Sequence, residues 1–272
     1  MLPDSKKYAF DVIIEAGQSN AEGYGRGPVT EEYIPDADLL YLTHDFSLKE
    51  AKENEAFDFD FNTENPKLHI EVADEHRDGD EKIGDLSLTF SREYKKNGYL
   101  KEGRKLLVVR AAVGGSGFKK RRWGLSDPLY LRLIAMVEFA LSLNPENKLV
   151  AFLWHQGEHD AFEKNRPDIF ESQLRALIAD VKCRFSVPDI PFVSGDFVSH
   201  WKNENIEDCL PIVEKIKCVT KDVGGVFVET SDLLSNDQMT GNGDPIHFCR
   251  ESLHILGVRY FEAFERISNK KQ

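Results

Sequence analysis

Five near-continuous apolar runs of strand length, separated by stretches with helical periodicity, constrain this sequence more than any other feature. They lie at residues 12–16, 106–110, 149–154, 192–194 and 226–228. A run that stays apolar at every position suits a strand covered on both faces, whereas a strand with one wet face would alternate. Apolar residues recur at helical spacing over 86–96, 129–143, 169–183, 206–219 and 253–267. Strand and helix in alternation predict an α/β chain with a central, mostly parallel five-stranded sheet and helices on both faces.

A chain of 272 residues fits one large α/β unit, and no repeat or linker divides it, so a single domain over 1–272 is expected. The alternation is broken by residues 43–82, dense in Asp and Glu, which read as an insertion: a solvated loop, or a lid or substrate wall. The formal net charge of -12 argues against a nucleic-acid partner, because that affinity comes from Lys and Arg displacing counterions. No apolar run approaches the roughly 20 residues that a membrane span needs. The start of the chain lacks the apolar stretch of a secretory signal, so a cytoplasmic location is expected, or secretion if a leader is removed. Cys183, Cys209, Cys218 and Cys249 are too widely spaced for a disulfide framework or a zinc-ligand cluster, and read as free thiols.

In open parallel sheets, reacting groups gather beyond the carboxyl ends of the strands. After the first run comes Gly17-Gln18-Ser19-Asn20-Ala21, a tight turn that can raise the Ser19 hydroxyl over the sheet edge as a nucleophile. Ala21 replaces the second glycine of the familiar Gly-x-Ser-x-Gly elbow, and Ser19 capping a helix is the competing reading. After the second run, Gly114-Gly115-Ser116-Gly117 lets backbone amides point into the crevice to hold an oxyanion, to cradle a phosphate, or to form a plain loop.

Trp154-His155-Gln156-Gly157-Glu158-His159-Asp160 follows the third run, and Gln156 there can donate its amide to developing charge. His155, Glu158 and His159 also match an inverted zinc-protease pattern, which makes a metal-dependent hydrolase one alternative; Gly157 and the preceding strand work against the unbroken helix that pattern requires. Near the C-terminus, the spacing of Asp244-Pro245-Ile246-His247 lets the carboxylate reach the imidazole and fix its tautomer. A turn or helix start is the plain alternative for that pair.

Taken together, Gly-Gln-Ser-Asn, Gly-Gly-Ser, Trp-His-Gln-Gly-Glu-x-Asp and Asp-x-x-His-Phe resemble the blocks of the SGNH hydrolase superfamily. They are most similar to its sialate O-acetylesterase-like branch, which includes the carbohydrate esterase family 6 acetylxylan esterases. The resemblance runs over about residues 12–264 and implies a flavodoxin-like three-layer α/β/α sandwich. It also implies Ser19 as nucleophile, His247 with Asp244 as base and orienting acid, and an oxyanion hole of Ser19, Gly115 and Gln156.

The expected activity is removal of acetyl groups from an O-acetylated carbohydrate, such as acetylxylan or O-acetyl sialic acid, with no metal or organic cofactor. The partner is then a small-molecule or oligosaccharide acetyl ester. Gln18 and Glu158 read as supports of the site. Trp123 offers a flat face for a sugar, and Arg121 and Arg122, in the basic run 119–122, offer cations for a sugar carboxylate. A non-catalytic carbohydrate-binding protein on the same fold is the remaining alternative.

Overall fold

The computed structural model describes residues 7–52 and 84–269. Its elements in chain order are β1 (Ala9–Gly17), α1 (Ser19–Glu22), β2 (Leu39–Leu42), β3 (Leu48–Glu50), α2 (Leu86–Lys96), β4 (Arg104–Arg110), α3 (Pro128–Ser142) and β5 (Lys148–His155). There follow α4 (Glu158–Phe162), α5 (Pro167–Arg184), β6 (Phe192–Gly195), α6 (Ser199–Glu204), α7 (Ile206–Asp222), β7 (Val226–Val228), α8 (Asn236–Thr240) and α9 (Arg250–Asn269). The strands form one seven-stranded sheet in the order β3-β2-β4-β1-β5-β6-β7. Every pairing is parallel except that of β3 with β2.

The five strands expected from the apolar runs are β1, β4, β5, β6 and β7, side by side in the sheet. The count rises to seven because β2 and β3 extend the edge beyond β4. Their signal is weak for a physical reason: β2 has only four residues, and β3 is a three-residue Leu-Lys-Glu edge strand with exposed polar positions. It falls inside the stretch expected to be an insertion. From residue 53 onward that stretch lies outside the described residues.

Helices cover both faces, giving three layers. On one face α2 packs against α9 through Phe90, Tyr94, Phe261 and Phe264, whose rings meet mainly edge to face. On the other, α5 packs against α7, and Trp154 of β5 is enclosed by Phe118, Trp123 and Phe152. Each fully buried ring contributes roughly 1.5–3 kcal/mol of transfer free energy. All four cysteines are free thiols. Among the described residues no helix is long and apolar enough to cross a membrane.

The chain leaves β1 toward the β2 edge but leaves its neighbour β5 toward β6, so the sheet reverses its winding direction between these two strands. That places a crevice beyond their carboxyl ends. The two ends touch there: Gly17 is paired with His155, and Gln18 donates its N–H to the His155 carbonyl at 2.9 Å. Gly17 has φ +139, and a Cβ at this position would lie 2.0 Å from the His155 carbonyl oxygen. Only glycine lets the strands approach this closely.

The buried face of the sheet toward α2 carries charge, and the charge is paired. Asp11 of β1 accepts from Arg104 Nε at 2.6 Å and from the Tyr94 hydroxyl at 2.8 Å. Arg110 of β4 lies 3.3 Å from Glu15 and 3.0 Å from Asp85. Asp85 is also the N-cap of α2, where it accepts from the backbone N–H groups of Ser87 at 2.8 Å and Leu88 at 3.1 Å. One carboxylate therefore starts the helix and docks it on the sheet. Because Asp85→Ala leaves Arg110 buried with a lost partner as well as an uncapped helix, it is expected to cost about 3–5 kcal/mol, against about 1 kcal/mol for an ordinary cap. Urea denaturation measures the difference, and a loss near that of an ordinary cap would contradict this coupling.

Candidate active site

Ser19 opens α1 immediately after β1, and His247 and Asp244 lie on the loop before α9. The structure brings them together. Ser19 Oγ lies 2.8 Å from His247 Nε2, and His247 Nδ1 lies 2.8 Å from Asp244 Oδ2. Burial alone would raise the Asp244 pKa. The hydrogen bond and charge of His247, with the Asn236 amide, outweigh it and hold the carboxyl at about 2. An ionised Asp244 keeps the Nδ1 proton in place and leaves Nε2 facing the serine, the arrangement in which imidazole accepts a hydroxyl proton.

Several supporting residues carry no signal of their own in the sequence. Asn20, next to Ser19, donates Nδ2 to the Ile246 carbonyl at 3.2 Å and accepts at Oδ1 from the Phe248 N–H at 3.0 Å. It thus grips the residues on either side of His247. The same Nδ2 donates to Glu158 Oε1 at 2.8 Å. Asn236 donates to Asp244 Oδ2 at 2.9 Å and to the Tyr24 carbonyl at 2.9 Å, and the Tyr24 ring stacks on the His247 imidazole. The motif Gly-Gln-Ser-Asn could have pointed to Asn20 by adjacency. Tyr24 and Asn236 are identified by tertiary contact alone.

Gln156 closes the other side. Its Nε2 donates to Asp160 Oδ2 at 2.6 Å and sits 3.4 Å from the Ser116 carbonyl oxygen, so the amide nitrogen lies against the glycine turn. The same nitrogen reaches Gln18 Oε1 at 3.5 Å, so its one short bond is to Asp160 and its contacts to Ser116 and Gln18 are long and weak. Gly115, with φ +61, is exposed at the tip of this turn. Asp160 also accepts the backbone N–H groups of Phe118 and Lys119, each at 2.9 Å, and Asn165 Nδ2 at 2.8 Å. Gln18 accepts at Oε1 from the His159 N–H at 3.1 Å at the start of α4.

Glu158 is fully buried. Burial would raise its pKa, but His155 and the Asn20 amide reverse the shift, and its pKa is lowered. His155 Nδ1 lies 2.9 Å from the Tyr260 hydroxyl. His155 ends β5 whereas His159 belongs to α4, so the two histidines do not stand one turn apart on one helix as the inverted zinc-protease pattern requires. Among the described residues no group of three His, Cys, Asp or Glu side chains is arranged to hold a metal ion.

Two expectations about substrate contact change. Trp123 is fully buried, not a sugar platform: its indole packs edge-on against Trp154 at 5.3 Å and donates to Ser116 Oγ at 2.8 Å. Its position after the glycine turn reflects the need to pin that turn to the core. The basic run is divided, because Lys119 bonds the carbonyls of Glu163 and Lys164 and Lys120 pairs with the Glu163 carboxylate at 3.1 Å. Arg122 is half-buried, while Arg121 is exposed and borders a cleft of about 380 Å³ with Asp127, Ser172 and Gln173.

A serine, a histidine and an aspartate thus meet in hydrogen-bonded sequence at the switch point of a three-layer α/β/α sandwich. A profile of the carbohydrate esterase, sialic acid-specific acetylesterase family matches residues 9–266, and the chain belongs to that family, within the SGNH hydrolase superfamily. The chain is 30% identical over 120 residues to a probable 9-O-acetyl-N-acetylneuraminic acid deacetylase of Escherichia coli K12, a match spanning 36% of the chain and 37% of that protein. Among solved structures, NanS aligns over 99% of both chains with a TM-score of 0.74 at 20% identity. A protein of Arabidopsis thaliana aligns over 95% of this chain and 98% of its own, with a TM-score of 0.67 at 18% identity. A carbohydrate acetylesterase from Xanthomonas citri aligns over 96% of this chain and 57% of its own, with a TM-score of 0.56 at 15% identity. At these identities the structures establish the fold.

Asp160→Ala leaves four donors without an acceptor in a buried site. It is expected to destabilise the protein by roughly 3–5 kcal/mol, and to release the turn so that trypsin cuts within residues 119–122 much faster than in the wild type. Limited proteolysis followed by mass spectrometry reads this directly; unchanged cleavage would mean that the turn is held by other contacts.

Proposed function

We propose that the protein is a serine esterase that removes acetyl groups from O-acetylated sialic acid through an acyl-enzyme intermediate. The observation that carries the reading is the unbroken chain from Ser19 Oγ through His247 to Asp244, with both links at 2.8 Å. Membership in the sialic acid-specific acetylesterase family and similarity to a probable sialic acid deacetylase support the choice of substrate.

In the first half-reaction, His247 Nε2 takes the Ser19 proton as Oγ attacks the acetyl carbonyl carbon. The resulting tetrahedral oxyanion accepts from the backbone N–H groups of Ser19 and Gly115 and from the Nε2 amide of Gln156. The C–O bond to the sugar then breaks, and the departing alcohol takes the proton from His247. Water attacks the acetyl-serine by the same route, releasing acetate and restoring the serine hydroxyl. Fixed donors and the imidazole handle all the charge that develops, so the reaction needs no metal or organic cofactor. Arg121, exposed in the basic run that follows the glycine turn, is the side chain we assign to the carboxylate of an acidic sugar.

The decisive experiment compares 9-O-acetyl sialic acid, acetylxylan and p-nitrophenyl acyl esters as substrates for the wild type, Ser19→Ala and Gln156→Ala. Ser19→Ala is expected to lose turnover by a factor on the order of 10⁶. Gln156→Ala is expected to fold normally and lose about 10²–10³. Arg121→Ala should raise KM for the acidic sugar ester while leaving p-nitrophenyl acetate hydrolysis unaffected. Turnover that survives in Ser19→Ala would overturn the mechanism, and a preference for acetylxylan over the sialate ester would overturn the substrate.

A further inference from the structure

Glu22 and Tyr24 form a continuous contact between the glycine turn and the imidazole. Glu22, the last residue of α1, accepts the Gly114 N–H at 2.5 Å and is hydrogen-bonded to the Tyr24 hydroxyl. The Tyr24 ring lies over His247 with centroids 5.1 Å apart and planes at 21°. At Gly114 a Cβ would stand 2.9 Å from the Tyr24 hydroxyl and 3.2 Å from Glu22 Oε2, so the absence of a side chain there is what lets the three groups close on one another. Gly115, the next residue, supplies an oxyanion donor in the reading above.

We propose that Glu22 is a positioning residue for ester hydrolysis: its carboxylate fixes the oxyanion turn through Gly114 and, through the Tyr24 hydroxyl, the ring that backs His247. The proposal rests on the Ser19–His247–Asp244 reading and adds a second carboxylate, which reaches the imidazole face through Tyr24 whereas Asp244 bonds the ring edge at Nδ1. The titratable groups around Glu22 meet at one guanidinium. Arg110 of β4 bonds the Glu22 carbonyl oxygen, and Glu15 of β1 and Asp85 both lie against the same Arg110. Burial outweighs the lowering effect of the Gly114 N–H, Arg110 and Tyr24, and the Glu22 carboxyl is pushed up to about 7.

The sign follows. Above that pH Glu22 is ionised and accepts both bonds at full strength; as pH falls through it, the carboxyl gains a proton and the grip on the turn weakens. His247 must also be unprotonated to act as base, so the two requirements fail in the same direction. The acid limb of log kcat against pH is then steeper than one ionisation allows.

The test measures kcat and KM for p-nitrophenyl acetate between about pH 5 and 9 in the wild type, Glu22→Gln, Tyr24→Phe and Ser19→Ala. Glu22→Gln keeps an acceptor for Gly114 but no ionisation. It is expected to lose about 10-fold in kcat at the alkaline end with little change in KM, and to fall with unit slope where the wild type is steeper than unit slope over the range in which Glu22 titrates. Tyr24→Phe keeps the stacked ring and loses only the hydroxyl, and it should lower kcat several-fold. A residue needed only for folding would change thermal stability and leave the slope as it was. If Ser19→Ala is inactive but Glu22→Gln and Tyr24→Phe follow the wild-type profile, the Glu22 proposal is overturned alone. Activity that persists in Ser19→Ala overturns the hydrolytic reading and this proposal with it. Should Glu22→Gln fail to fold, the Tyr24→Phe profile decides: unchanged kcat and slope overturn the proposal.

Discussion

The site depends on one side-chain amide. Ser19 and His247 are 228 positions apart, and no local structure can hold them at 2.8 Å. Asn20 does so by taking the backbone on both sides of His247, accepting from Phe248 and donating to Ile246, while its own position is fixed by direct attachment to Ser19. Buried amides with several partners are costly to rearrange, because any shift leaves a donor or acceptor unsatisfied away from water. Glu158 holds the same amide from the start of α4, just beyond the end of β5. The carboxyl ends of two central strands and the loop before the last helix thus meet in one residue, and the sheet's switch point supplies the space in which they do so.

The three carboxylates around this centre are separated by environment. Asp244 and Glu158 are both buried far enough to favour the neutral acid, yet each faces a histidine and an asparagine amide, and those partners lower both pKa values. Glu22 faces a guanidinium that it shares with Glu15 and Asp85, and there burial wins. A carboxylate with a dedicated partner stays charged and orients that partner; a carboxylate that shares a cation is left near its titration point. The roles follow from the hydrogen-bond partners of each acid more than from depth.

Much of this was legible in the residues. The five apolar runs locate the five adjacent strands β4, β1, β5, β6 and β7 because burial on both faces leaves no polar alternation to confuse the pattern. Ser19, Asp244 and His247 are visible because each sits in a short block whose chemistry is unusual for a turn. What stays hidden has a common cause. The edge strands β2 and β3 are too short and too polar to register as periodic. Tyr24 and Asn236 act through partners far away in sequence, and no local pattern distinguishes a tyrosine that stacks on the His247 imidazole from one that packs in a core. Trp123 errs in the opposite direction: proximity to the glycine turn suggests a substrate face, whereas the indole faces inward because the turn needs an anchor.

That anchor explains how a glycine-rich loop can serve as a fixed array of donors. Glycine costs conformational entropy wherever it is ordered, so a turn of this composition is rigid only if its neighbours hold it. Here Trp123 holds Ser116, Asp160 holds the N–H groups of Phe118 and Lys119, and Glu22 holds the N–H of Gly114. Gly115 alone is left with its backbone at the exposed tip. A donor that is preorganised pays nothing to reorient when charge develops, and electrostatic stabilisation of an oxyanion draws its strength from that condition. The flexible residues supply access to the reacting atom, and the buried carboxylates on either side supply the stiffness that glycine lacks.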